Sequence, residues 1–104
     1  MLLVNAFSFN MVPAELSAGT IRFHQVTTQE ASDAFAGGRS AVGHAPTADL
    51  FASILGREVA CARETISLVP GQSLILGQYV GPRLPEGATS LPAGATVRWY
   101  LISL

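Results

Sequence analysis

The run from Leu2 to Ala6 is apolar over its first positions and too short for a helix, so it reads as a strand buried on both faces. Such a strand needs neighbours beside it and cover above and below, which points to a layered α/β architecture. The chain's 104 residues allow one domain, residues 1–104. Ordering a chain of this length costs on the order of 100–200 kcal/mol, and a hydrophobic content of 49% can supply the burial that offsets it.

Charge narrows the function classes. The chain has six Arg, no Lys and seven acidic residues, for a formal net charge of −1. A non-specific binder of long nucleic acid needs a basic face, so long polyanions are disfavoured. A small anionic ligand held by a few guanidinium groups is compatible with this balance. The lone Cys61 has no intrachain disulfide partner, which fits a reducing compartment. Met1-Leu2-Leu3-Val4 lacks the basic start of a secretory signal, and no apolar run approaches the roughly 18–20 residues of a membrane span. The expectation is a cytoplasmic protein, off the membrane, with some apolar surface covered by a second copy.

Further along, Asn10 is positioned to cap a short helix over Met11–Leu16, with Pro13 in its first turn. Thr20–Val26 alternates as a strand, with Ile21 and Phe23 on one face. Thr27-x-x-Glu30 has capping-box spacing and opens a helix ending at Gly37-Gly38. A second helix is bounded by Pro46 and Gly56, with Leu50, Phe51, Ile54 and Leu55 on its apolar face. Val59–Val69 and Ser73–Val80 read as an antiparallel pair joined at Pro70-Gly71. Gly81–Ala95 has no periodicity, and Thr96–Leu104 reads as a closing strand. Together these predict a mixed sheet of about five strands flanked by about three helices. An irregular loop as long as 81–95 is uncommon in so small a domain unless it binds or covers something.

No metal and no cofactor are expected. Two His twenty residues apart, one Cys and scattered acids match no zinc spacing, and neither GxxxxGK[ST] nor GxGxxG occurs. The suggestive stretch is Gly43-His44-Ala45-Pro46-Thr47. His44 precedes a helix start, where unpaired amides and the helix dipole attract phosphate, and an imidazole beside phosphate can serve as a general acid. His44 reads equally well as a polar residue at a helix start. Arg83 and Glu86 lie on the long loop between prolines that stiffen it, and they also fit an exposed charged pair. Arg63 falls among Cys61, Thr65 and Ser67 on a small, polar strand face. Gln78 replaces an apolar side chain in the alternation of Leu74 and Leu76. Asn5, Ser8 and Asn10 fit either turn and cap roles or a ligand site.

Taken in order, Val4-Asn5-Ala6-Phe7-Ser8-Phe9-Asn10-Met11, Ala41-Val42-Gly43-His44 running into Thr47, Arg63, Gln78 and Gly81-Pro82-Arg83-Leu84-Pro85-Glu86-Gly87 resemble a known family. They are similar to the small viral and bacterial anti-CRISPR ring nucleases, which degrade cyclic tetra-adenylate, the second messenger of type III CRISPR defence. The resemblance runs in register over essentially the whole chain. It implies a two-fold homodimer with the cyclic ligand lying across the interface. It also implies a metal-independent reaction, in which a ribose 2′-OH attacks the adjacent phosphodiester and leaves a 2′,3′-cyclic phosphate. By this resemblance His44 protonates the leaving oxygen, Glu86 orients or tunes the imidazole, and Arg63 and Arg83 hold the phosphate in the transition state. Asn5, Ser8, Asn10, Thr47 and Gln78 match positions lining the ligand pocket. Ala45-Pro46 departs from the more polar residues often found after the catalytic His. Two other readings stand beside this one: a sponge that binds a cyclic nucleotide without cutting it, and a viral structural or DNA-associated protein.

Overall fold

A computed structural model describes residues 1–104. Five strands form one mixed sheet: β1 (Leu2–Val4), β2 (Arg22–Val26), β3 (Arg39–Ser40), β4 (Ser73–Val80) and β5 (Thr96–Ser103). They lie in the order β2-β5-β4-β1-β3. β1 runs parallel to both neighbours, Leu3 opposite Ser40 on one side and Ile75 on the other. β4 and β5 are antiparallel from Ser73↔Ser103 to Val80↔Thr96, and β5 pairs antiparallel with β2. The double burial expected of Leu2–Ala6 holds where it counts: Leu3 and Val4 are buried, and the strand ends one residue before Asn5.

Two α-helices, α1 (Thr28–Phe35) and α2 (Ala45–Leu55), cover one face. Thr27 caps α1 as expected, its hydroxyl accepting from the Glu30 amide at 3.1 Å while the Thr27 amide donates to the Glu30 carboxylate at 3.0 Å. α2 begins with Pro46 in its first turn and stops at Gly56, whose φ of 67° lies in the left-handed region that glycine enters without strain. Between helices and sheet lies the main core of Leu3, Val26, Ala31, Phe35, Val42, Phe51, Ile75 and Trp99, with others. Burying side chains of this size contributes about 1.5–3 kcal/mol each. Phe51 from α2 meets Trp99 from β5 edge-on, with centroids 4.9 Å apart and planes at 61°, an arrangement worth about 0.5–1.5 kcal/mol beyond area. The helices are tied together by Ser32, whose hydroxyl donates to the Leu55 carbonyl and accepts from Arg57 Nε.

The opposite face carries a smaller cluster of Val4, Met11, Leu68, Leu74, Leu76 and Ile102. The segment before β2 and the stretch around Leu68 cover part of it. Phe23, on the outer strand β2, stays 70% exposed.

Three local expectations are corrected. Val59–Val69 is not a strand; it is irregular and touches the sheet side through one parallel bridge, Val42↔Cys61. β4 already has β1 on one edge and β5 on the other, so no edge was open to the preceding segment. Val59 and Leu68 are buried, with Arg63 and Glu64 exposed between them. The turn at Pro70-Gly71 does form, with the Gln72 amide donating to the Val69 carbonyl, but it joins no hairpin. The fifth strand is the two-residue β3.

The expected helix over Met11–Leu16 is a single 3-10 turn, Phe9–Met11, with Ser8 rather than Asn10 at its N-cap. Pro13 disfavours helical geometry at Val12, which is extended at φ −85° and ψ 132°. The helix count is therefore two α-helices and this turn.

Candidate functional site

His44 is the N-cap of α2, with extended backbone angles of φ −129° and ψ 117°. Its carbonyl accepts from the Ala48 amide at 2.9 Å, which starts the helix. An N-cap side chain ordinarily bonds a first-turn amide, but His44 makes no such bond. Its Nδ1 lies 3.4 Å from the hydroxyl of Thr47, one turn into the helix and buried. The imidazole itself is exposed, so its other nitrogen faces outward. Pro46 removes one of the first-turn amides available to an anion.

Across from His44 stands the loop between β4 and β5. His44, Pro46, Arg83, Leu84, Pro85 and Glu86 line one open cleft of about 430 Å³. That is near the low end of the roughly 300–1,000 Å³ of small-molecule pockets. The loop is irregular but fastened. Leu84 is sunk into the protein with 6% of its surface exposed. Tyr79 donates its hydroxyl to the Pro82 carbonyl at 2.5 Å, and Ser53 on α2 donates to the Thr89 carbonyl at 2.6 Å. The same helix thus presents His44 and holds the loop carrying Arg83 and Glu86.

A second cleft adjoins the first, lined by Asn5, Ala41, Gly43, Arg63, Glu64 and Thr65. Gly43 is the junction. Its carbonyl accepts from Arg63 Nε at 3.0 Å, and a Cβ on Gly43 would stand 2.9 Å from Arg63 Cγ. The absent side chain lets the Arg63 stem lie against the turn that delivers His44, with its terminal nitrogens free for a ligand. Arg63 stands on the irregular segment rather than on the expected strand face, and Ser67 lines a different hollow with Met1 and Leu2. The neighbouring Glu64 is engaged by Arg39 in the one ion pair of the chain.

His44, Arg83 and Glu86 are therefore brought together, Thr47 stands behind the imidazole, and Asn5 and Arg63 line the adjoining cleft. Three sequence candidates fall elsewhere. Gln78 lies on the face away from the helices, in an apolar hollow with Phe7, Ile21, Phe23, Leu76, Tyr100 and Ile102. Ser8 and Asn10 sit exposed at the 3-10 turn, whose Met11 packs into that same face's cluster. Thr65 was seen beside Arg63 and does line the same cleft, whereas the loop fasteners Tyr79 and Ser53, and Glu64 at the cleft, had escaped the sequence. None belongs to a recognisable spacing, and each matters only through a partner distant in the chain.

No cluster of three or more His, Cys, Asp or Glu side chains is arranged to hold a metal ion, and no helix is long and apolar enough to cross a membrane. Glu30 is held below the usual carboxylate range, first by the Thr27 amide and then by the Thr27 hydroxyl.

A five-stranded mixed sheet of this order with two helices on one face makes the chain a single-domain α/β protein. It belongs to the STIV B116-like family, whose pattern matches residues 1–93. Among solved structures it is similar to B116 of Sulfolobus turreted icosahedral virus, with a TM-score of 0.80 over 99% of this chain and 97% of that one. Sequence identity between the two is 20%, so the likeness is one of fold. No curated protein sequence matches the chain.

Proposed function

We propose that the protein is a metal-independent ring nuclease acting on cyclic tetra-adenylate, and so an off-switch for type III CRISPR signalling. The observation that carries this reading is the exposed His44 at the start of α2, facing Arg83 and Glu86 across one cleft, with Arg63 held beside it through Gly43. An internal 2′-OH nucleophile needs only in-line placement, a proton donor for the leaving oxygen and compensation of phosphate charge. The 2′-oxygen bonds to phosphorus and its proton passes to water. The bond to the 5′-oxygen breaks, and His44 protonates that oxygen. The product is a linear di-adenylate with a 2′,3′-cyclic phosphate once two opposite linkages are cut.

A two-fold homodimer suits a ring of four equivalent linkages, because one site is repeated by the axis. The size of the cleft in one chain supports this arrangement, since a second copy is needed to surround the ring. On this reading Asn5 lines the ligand side beside His44 and Thr47 backs the imidazole, while Ser8, Asn10 and Gln78 stand away from the cleft of the single chain. The family's viral namesake favours counter-defence over a cell's own control of the signal.

The test incubates the protein with labelled cyclic tetra-adenylate in EDTA. The expected product is the linear di-adenylate with a cyclic phosphate end. His44→Ala is expected to lose about 10²–10⁴-fold in cleavage rate, the usual contribution of a general acid, with ring binding retained. Tight binding of an intact ring by the unaltered protein would select the sponge reading. Absence of both binding and cleavage would leave a structural role. A strictly monomeric mass by light scattering at micromolar concentration would contradict the shared site.

A further inference from the structure

We infer that Thr47 is the positioning residue for the His44 imidazole, acting on its Nδ1 side. This rests on the ring-nuclease reading only for its catalytic consequence; the geometry stands without it. The Thr47 hydroxyl is buried, and the imidazole Nδ1 at 3.4 Å is its side-chain hydrogen-bond partner. Glu86 shares the cleft with His44 but makes no ion pair with it, since the chain's only ion pair joins Arg39 and Glu64. His44 also makes no capping bond to the helix amides, so nothing else on α2 competes for the ring.

A hydroxyl suits this task because it both donates and accepts. While the ring is neutral, the Thr47 O–H donates to Nδ1 and the proton stays on Nε2. When the ring is an imidazolium, Nδ1–H donates to the Thr47 oxygen instead. In both states the outward nitrogen, Nε2, carries a proton. During cleavage that Nε2 proton passes to the departing 5′-oxygen. The imidazole is left neutral with its remaining proton on Nδ1, still accepted by Thr47. A carboxylate in that position could only accept from Nδ1–H, so the neutral ring would carry its proton on Nδ1 and present a bare Nε2 to the cleft.

The experiment compares the unaltered chain with Thr47→Val, which keeps the shape and removes the hydroxyl, and Thr47→Ser, which restores it. The first readout is the His44 tautomer by ¹⁵N NMR of the imidazole. The second is single-turnover cleavage of cyclic tetra-adenylate at saturation, together with binding of the ring. Thr47→Val is expected to raise the Nδ1–H share of the neutral ring and to cleave about tenfold more slowly with unchanged binding, and Thr47→Ser is expected to recover both. An unchanged tautomer in Thr47→Val would overturn the inference. So would weakened binding with an unaltered saturated rate, because Thr47 would then be a ligand contact. If the unaltered chain fails to cleave the ring, the ring-nuclease reading falls, and the tautomer comparison still decides the role of Thr47.

Discussion

Replacing Gly77 by alanine should unsettle the core directly beneath α2. Gly77 is buried on β4, and a Cβ there would stand 2.6 Å from Phe51 Cε2, Phe51 Cζ and Trp99 Cζ3. Ordinary contacts begin almost an ångström further out, so two rings must move. Neither has room: Phe51 is fully buried, Trp99 is 2% exposed, and the two already pack edge to face. Overpacking of this kind costs about 1–3 kcal/mol, and the rigidity of both rings places this site at the upper end. Alanine also restricts the unfolded chain, which returns about 0.4–1 kcal/mol. The net loss is about 2 kcal/mol, equivalent to roughly 8–16 °C in Tm for a domain of this size. Thermal and urea denaturation followed by circular dichroism measure it directly. Phe51→Leu in the same chain should recover part of the loss, because the two sites share one packing defect and are not additive. A Gly77→Ala protein melting at or above the unaltered temperature would refute the reasoning.

Two further substitutions probe the site and a helix start. Gly43→Ala, whose Cβ would press on Arg63 Cγ at 2.9 Å, should displace the guanidinium and reduce cleavage of cyclic tetra-adenylate at least tenfold while moving Tm by only a few degrees; full activity would show that Arg63 is not needed where it lies. Glu30→Ala should lower stability near neutral pH. The folded carboxyl is held below its ordinary value, so its contribution is complete above the ordinary carboxylate range and lost as pH falls through the depressed value. Urea titrations of both proteins should therefore converge in acid, and a constant gap down to pH 2 would contradict the capping account.

Much of this structure was legible because its signals are local. Pro46 and Gly56 bracket α2 within a few residues of their own backbone, and Thr27 and Glu30 satisfy each other's amides three positions apart. The same locality made His44, Arg83 and Glu86 visible as candidates. Val59–Val69 misled because strand pairing is decided elsewhere. Its composition suits a sheet, but both edges of β4 were taken by Leu2–Val4 and Thr96–Ser103. β3, with two residues, is too short to show any period. Gln78 was correctly singled out as a polar break in an apolar alternation, yet that alternation places it on the face opposite α2. The relation between Thr47 and His44 needed the extended N-cap geometry, which aims the ring at a side chain instead of an amide.

The fastened loop has a consequence for the order in which the molecule can assemble. The 81–95 connection is the turn of a long hairpin whose last rung pairs Val80 with Thr96. His44 is placed by β1, β3 and α2, all drawn from residues 2–55. The opposing wall stands only once β5 has zipped onto β4 and brought Tyr79, Pro82 and Leu84 into place. A chain in which β5 has not yet closed on β4 therefore holds His44 with nothing facing it.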